Sequence, residues 1–271
     1  MKIFKNKEDL KSEIINDKTI CFIPTMGGLH KGHISLIKRA KKINNKTLVS
    51  IYVNPKQFNR KDDYKKYPRN LQNDIKILQK LKINYLYLPN NKDIFNFKTK
   101  NKIYLHKFSK KLCGKFRKGH FMGVLNVVNR FLEIIRPKYI LLGLKDFQQL
   151  TLIEKHIIKN KINTKVISCK TIRERNGVVC STRNFNLSNK QSKIASSVYK
   201  YLFTIKKLTK KNIKLFNSSI LKKKLIILGV SKVDYLDIIN LKKLKKPKSR
   251  KENYNIFLAY YLGKTRLIDN I

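Results

Sequence analysis

The chain has 271 residues, of which 63 are Lys or Arg and 16 are Asp or Glu, a formal net charge of +47; 42% are hydrophobic, four are Cys and none is Trp. Ile, Leu, Val and Phe recur in periodic blocks able to offset the entropy of ordering, which excludes a chain disordered throughout. The longest apolar runs, Tyr139–Leu144 and Leu225–Val230, fall far short of the roughly 18–20 residues of a membrane-spanning helix, so no membrane partner is expected.

In chain order, the opening MKIFKNKEDLKSEI lacks the apolar core of a signal peptide, and its Glu8, Asp9 and Glu13 are foreign to an acid-poor transit peptide. A cytoplasmic location is expected. Cys21, Cys113, Cys169 and Cys180 are far apart, without Cys-x-x-Cys spacing, and read as reduced thiols. Thr19–Pro24, Thr47–Val53, Asn84–Pro89, Tyr139–Leu144 and Lys165–Cys169 are compact apolar runs that suit strands buried on both faces of a parallel sheet. Helical periods lie between them. Val124, Val127, Val128, Phe131, Leu132 and Ile135 form one apolar stripe, closed by Pro137. Phe147, Leu150, Ile153 and Ile157 form another, with Asp146 as its expected N-cap. Polar, Lys/Asn-rich Asn90–Lys102 reads as a flexible insertion. Alternating β and α units predict an α/β fold, a doubly wound parallel sheet with right-handed crossovers.

After about Thr171 the character changes. One long helix is predicted around Ile194, Val198, Tyr201, Leu202 and Ile205, and a second from about Ile213 to Leu228, ended by Gly229. Two strand-like runs follow, Val233–Ile239 and Asn255–Leu262, without crossover spacing. The expected organisation is a larger domain over residues 1–171 and a smaller C-terminal α+β domain over 172–271.

The positive charge invites a nucleic-acid reading. Yet the lysines are spread nearly evenly, together with many Asn and Ile, as drift toward A and T in a genome produces. The densest basic run, Lys242–Lys251, is interrupted by Leu244 and Pro247. No specific nucleic acid is expected.

The most informative stretch is Pro24-Thr-Met-Gly-Gly-Leu-His-Lys-Gly-His33, which follows an apolar strand and opens into the amphipathic segment Ile34–Lys42. In a parallel sheet, ligands bind at the carboxyl ends of strands, where the next helix presents backbone N–H groups. Gly27 and Gly28 let backbone approach a ligand closely. His30 and His33, three residues apart on a first helical turn, would point the same way at a positive helix end and suit a polyphosphate. Zinc is an alternative, but no third ligand lies nearby. Histidines with a purely structural role are another. The two commonest nucleotide loops, Gly-x-x-x-x-Gly-Lys-Ser/Thr and Gly-x-Gly-x-x-Gly, are absent.

This segment resembles the signature of the His-x-x-His nucleotidyltransferases, and within them the pantoate–β-alanine ligase family. Further segments of that family's pattern follow in order: Ser50-Ile-Tyr-Val-Asn-Pro-Lys-Gln-Phe58, Tyr67-Pro-Arg-Asn70 with Asp74, Gly119-His-Phe-Met-Gly-Val124, Gly143-Leu-Lys-Asp-Phe-Gln-Gln149, Cys180-Ser-Thr-Arg-Asn184 and Thr265-Arg-Leu-Ile-Asp-Asn270. They span nearly the whole chain.

The resemblance implies a Rossmann-like domain that binds ATP and pantoate, a C-terminal lid, a homodimer, and a two-step reaction. ATP and pantoate would give an enzyme-bound pantoyl adenylate and pyrophosphate; the amine of β-alanine would then displace AMP to form pantothenate, on the way to coenzyme A. By the same resemblance His33 is the proton donor and His30 its partner on the phosphates, with Lys145 and Arg183 completing the catalytic set. ATP binding falls to Met26, Gly27, Gly28, Leu29, His30, Lys31, Gly32 and His33, to Gly143, Leu144, Lys145 and Asp146, and to Ile172, Cys180, Ser181, Thr182 and Arg183. Gln57 and Gln149 would hold the substrates, chiefly pantoate, because an amide both donates and accepts beside an apolar wall; Met26 and Phe58 are candidates for that wall. Asp74, an acid in an acid-poor chain, is the candidate for Mg2+ held through water.

Departures from the pattern are Leu144 where an acid is usual, Cys180-Ser-Thr182 for Met-Ser-Ser or Leu-Ser-Ser, and Met122 where Arg is common. None removes a residue assigned to chemistry. Two competing readings are an adenylyltransferase with a phosphate acceptor, which would need fixed cations in place of the glutamines, and an RNA-binding protein, which leaves the histidine motif unexplained.

Overall fold

The computed structural model describes residues 1–17, 19–43 and 46–271. The chain divides into two compact units, Met1–Thr171 and Ile172–Ile271.

The first unit runs β1 (Lys2–Phe4), α1 (Lys7–Ile14), β2 (Cys21–Thr25), α2 (Lys31–Lys42), β3 (Thr47–Ile51), α3 (Lys61–Lys65), α4 (Leu71–Lys80), β4 (Tyr85–Tyr87), α5 (Asn91–Phe95), α6 (Cys113–Phe116), α7 (His120–Ile135), β5 (Tyr139–Gly143), α8 (Phe147–Lys159) and β6 (Lys165–Cys169). The strands form one six-stranded sheet in the order β1-β4-β3-β2-β5-β6, every pair parallel. Successive strand residues face opposite ways, so each strand feeds two cores. Cys21 and Ile23 join Val49, Ile37 of α2 and Leu141 in one apolar cluster. Phe22, between them, packs at a tilt, 5.4 Å between ring centres, on Phe131 of α7, which also meets Tyr52 and Tyr87 edge-on. Covering both faces with helices is what made these strands continuous apolar runs.

The predicted doubly wound sheet is present, with one more strand than expected. β1 is only three residues long and mostly exposed, so it carries no readable periodicity; pairing with β4 makes it a strand. Asn90–Lys102, expected to be flexible, is instead strapped to α7. Asn90 caps α5 by accepting from Asp93 N at 2.8 Å, and Arg130 donates to the carbonyls of Ile94 and Phe97 while covering the rings of Phe95 and Phe97. The Lys100 and Asn101 amides donate to Glu133. Polarity alone misled, because two charged residues of a distant helix satisfy this backbone. Asp146 occupies the cap position of α8 but makes no capping hydrogen bond: a 3-10 turn, Leu144–Asp146, precedes the helix and changes the approach.

The second unit comprises α9 (Asn189–Lys211), α10 (Ser218–Ile227), β7 (Lys232–Asn240), β8 (Tyr254–Leu262) and β9 (Thr265–Asn270), the strands forming an antiparallel sheet in that order. Leu202, Leu225, Leu236, Ile256 and Leu258 are fully buried in its core. The second predicted helix is interrupted. A 3-10 turn at Ile213–Leu215 ends, and α10 restarts where Asn217 Oδ1 accepts from the Ser219 and Ile220 amides. Gly229 closes it in the left-handed region, φ +98°, its N–H on Ile226 O. β9, read from the sequence only as a motif, is the third strand.

All four cysteines are buried and none forms a disulfide. Among the described residues, no helix is long and apolar enough to cross a membrane.

Candidate active site

Strand order reverses between β2 and β5: β3 and β4 lie to one side, β6 to the other. At such a switch point the loops leaving neighbouring strands diverge and open a crevice at the carboxyl ends. The turn after β2, Met26–Leu29, and the 3-10 turn after β5, Leu144–Asp146, flank it.

The first turn is pinned from three directions. Gly27 (φ +78°) and Gly28 (φ +61°) are both left-handed, a conformation glycine adopts without penalty. Thr25 Oγ1 donates to Ser50 O on β3 at 2.7 Å and accepts from Gly27 N. Asp74 of α4, 1% exposed, accepts from Gly28 N and from Leu29 N, each at 2.8 Å. A Cβ at Gly27 would stand 3.0 Å from Asp74 Oδ2, so a side chain there would also be crowded. The motif Tyr67–Asn70 serves this arrangement, since Asn70 caps α4 and sets Asp74 in its first turn.

His30 and His33 form a reciprocal cap at the start of α2. Gly32 N donates to His30 Nδ1 at 3.1 Å, and His30 N donates to His33 Nδ1 at 3.4 Å. The rings lie 4.1 Å apart and 35° from parallel. A backbone N–H only donates, so each Nδ1 is the bare nitrogen and each neutral ring carries its proton on Nε2. Burial, then the proximity of the His30 imidazole and the Lys145 ammonium, holds the His33 pKa well below its ordinary value. His33 is therefore a neutral ring that donates through Nε2–H. Lys145 Nζ is 3.5 Å from Asp146 Oδ1.

Gln57 ends a 3-10 turn, Pro55–Gln57, after β3, and its amide nitrogen lies against Met26 Sδ. The structure thus brings Gln57 to the glycine turn. Asn54, 1% exposed, organises this turn: its Oδ1 accepts from Lys56 N and its Nδ2 donates to Gly123 O, each at 3.1 Å. Sequence reasoning quoted Asn54 without a role; the Asn-Pro step is the signal that could have found it. Phe58 packs edge-on between Tyr64 and Tyr67. Gln149 is half-buried on the first turn of α8; Gly143 ends β5, and Leu144 is half-buried in the turn between. Lys31 is exposed and Gly32 half-buried.

The remaining predicted residues belong to the second unit. Cys180 N donates to Ile172 O at 3.0 Å, closing a short hairpin whose Arg173 and Val179 pair. Cys180 Sγ donates to Glu174 Oε1 at 3.2 Å. Ser181 caps a 3-10 turn, Thr182–Asn186, its Oγ accepting from Arg183 N; Thr182 is buried and Arg183 half-buried.

Among the described residues, no three His, Cys, Asp or Glu side chains gather to hold a metal ion. With both Asp74 oxygens on backbone amides, the residues present do not make a protein cage for Mg2+.

A parallel sheet with a glycine turn and a paired-histidine helix start at its switch point defines an α/β nucleotide-binding protein of the His-x-x-His kind. More narrowly, the chain belongs to the pantoate-β-alanine ligase family, whose sequence model matches residues 2–271. It is 39% identical over 275 residues to a pantothenate synthetase of Francisella tularensis subsp. novicida (98% of this chain, 94% of the relative) and 37% identical over 288 residues to one of Flavobacterium psychrophilum (100% and 99%). Among solved structures it is similar to the pantoate-β-alanine ligase of Francisella tularensis complexed with β-γ ATP and β-alanine, at 39% identity and a TM-score of 0.85, covering 100% of this chain and 97% of that one. The pantothenate synthetase of Thermus thermophilus matches at 27% identity and a TM-score of 0.89, covering 100% and 99%.

Proposed function

We propose that the glycine turn and the His30–His33 pair grip the polyphosphate of ATP while Gln57 and Gln149 hold pantoate. The chain is an enzyme of ATP-dependent ligation, joining pantoate to β-alanine and releasing AMP and pyrophosphate. In the first step a pantoate carboxylate oxygen attacks the α-phosphorus, and the bond to the β-phosphate oxygen breaks with its electron pair. Pyrophosphate leaves as the more negative group, so fixed donors at that oxygen lower the barrier. His33 Nε2–H and Lys145 supply them. In the second step the uncharged amine of β-alanine attacks the acyl carbon of the adenylate, AMP departs, and the amine loses a proton as the amide forms.

The observation that carries this reading is the paired cap: backbone amides occupy both Nδ1 atoms, so each ring keeps its proton on Nε2 at the start of the helix that follows the glycine turn. From the second unit, Ile172, Cys180, Ser181, Thr182 and Arg183 are assigned to ATP, Thr182 and Cys180 through main chain because their side chains are buried. Met26, Leu29, Lys31, Gly32, Gly143, Leu144 and Asp146 complete that assignment. We read Asp74 as the clamp of the glycine turn and Mg2+ as arriving on the nucleotide, part of the substrate. Four buried cysteines, none in a disulfide, favour a reducing, cytoplasmic setting.

The test is a matrix of AMP release from ATP with pantoate, with β-alanine, and with both. Release requiring both, with pyrophosphate–ATP exchange needing pantoate alone, is the expected pattern; exchange driven by β-alanine alone overturns the order of steps. Gln149→Ala should raise the pantoate KM with little change in that for ATP.

A further inference from the structure

The segment Gly119-His-Phe-Met-Gly-Val124 has no role in the chemistry above, yet it docks directly on the turn that carries Gln57. The Gln57 carbonyl oxygen receives two hydrogen bonds from this region, from His120 Nδ1 at 2.7 Å and from Arg117 Nη2 at 3.1 Å. Arg117 Nη1 also lies 3.0 Å from His120 Nε2, closing a three-membered ring of contacts. The roles follow from valence. A carbonyl oxygen only accepts and a guanidinium only donates, so His120 carries its proton on Nδ1 and accepts on Nε2. Both lone pairs of the Gln57 carbonyl are then taken.

Two more contacts lock the same turn. Asn54 Nδ2 reaches Gly123 O, and a Cβ at Gly123 would lie 2.3 Å from Lys56 O and 3.0 Å from Gln57 N. Backbone meets backbone there, which only glycine allows. His120 is buried.

We propose that Arg117 and His120 are positioning residues for the pantoate site, fixing the Gln57 main chain so that its side-chain amide meets the substrate in one orientation. This rests on the assignment of Gln57 to pantoate. Neither residue touches substrate. Their effect is to fix the carbonyl end of a 3-10 turn that the Asn54 and Gly123 contacts already hold at its start, and small misplacements of a substrate-binding group are costly.

The test uses steady-state kinetics on the full chain, with pantoate and ATP varied in turn and melting temperatures recorded. Arg117→Met keeps the aliphatic stem and removes both guanidinium contacts; His120→Ala removes the other. Each should raise the pantoate KM about tenfold, the effect of one well-placed hydrogen bond, with the ATP KM within about twofold. His120→Asn places an amide N–H where Nδ1–H was and should restore most of the loss, which a merely space-filling role would not. In a Gln57→Ala background, Arg117→Met should change the pantoate KM no further. A pantoate KM unmoved by Arg117→Met and His120→Ala, while Gln57→Ala raises it, overturns the inference and leaves the Gln57 assignment standing. A pantoate KM unmoved by Gln57→Ala overturns that assignment and the inference with it. Should His120→Ala fail to fold, Arg117→Met carries the comparison by itself.

Discussion

The Asp74 carboxylate lies astride the glycine turn, its Oδ2 2.8 Å from the Gly28 nitrogen and its Oδ1 the same distance from the nitrogen of Leu29. Burial pushes the Asp74 pKa up, and the two N–H groups oppose that shift. The clamp therefore holds a desolvated acid in place through backbone dipoles, and it sets the path of the chain just ahead of His30.

Asp74→Ala should loosen this turn, raising the ATP KM about tenfold and lowering stability by about 1–3 kcal/mol, the usual penalty for orphaned buried donors. Asp74→Asn should lose much of the same, because its NH2 group must face an amide N–H. Titrating Mg2+ decides between roles: a clamp gives no recovery at high Mg2+, whereas full recovery would return the carboxylate to metal binding.

His33→Ala should slow pantoyl adenylate formation by about 10²–10³-fold, the span of one preorganised donor to developing charge, while nucleotide binding weakens far less. Pyrophosphate–ATP exchange in the presence of pantoate measures the step, and fluorescence-detected nucleotide titration measures binding. Wild-type exchange in the variant would sink the role given to this imidazole.

Acid should destabilise the protein through buried imidazoles. His156, fully buried on α8, accepts from Tyr104 N at 3.1 Å on Nδ1 and faces Asn129 Oδ1 at 3.0 Å with Nε2. Burial lowers its pKa, and Glu133 opposes this only in part; His33 is lowered too. The unfolded chain then binds these protons more tightly than the fold does. Stability present above the ordinary value of 6.5 is lost as pH falls below it. Urea midpoints should drop between about pH 7.5 and about pH 5, and His156→Gln should flatten that drop. An unchanged slope in the variant would contradict the assignment.

In the second unit, Arg173 grips Asp269 with both guanidinium nitrogens, at 2.7 and 2.8 Å, and stacks over Tyr199. The bridge ties the start of the Ile172–Cys180 hairpin to β9, which gives the Thr265–Asn270 motif a structural purpose. Asp269→Ala leaves a mostly buried guanidinium uncompensated and should cost about 3–5 kcal/mol of unfolding free energy. Chemical denaturation followed by circular dichroism tests this, and a loss below about 1 kcal/mol would assign the motif elsewhere.

Much of the site was legible before folding. Gly27, Gly28, His30 and His33 lie within seven positions, and their geometry is local: left-handed glycines, then a helix cap whose partners are two and three residues apart. Gln57 was readable from the strand ahead of it. What local patterning misjudged was distant support, as where Arg130 and Glu133 order a segment that composition marks as loose.

By itself, then, the amino-acid order determined the alternation of strands and helices, the glycine turn and the imidazole pair, because these arise from backbone propensities and side-chain periods within a few residues. Tertiary structure alone decided that Asp74, 46 residues beyond Gly28, would clamp the turn, and that Arg117 and His120, about sixty residues past Gln57, would hold its carbonyl. Which buried donor meets which acceptor depends on strand order and on how α4 and α7 pack against the sheet, and no spacing along the chain encodes that meeting.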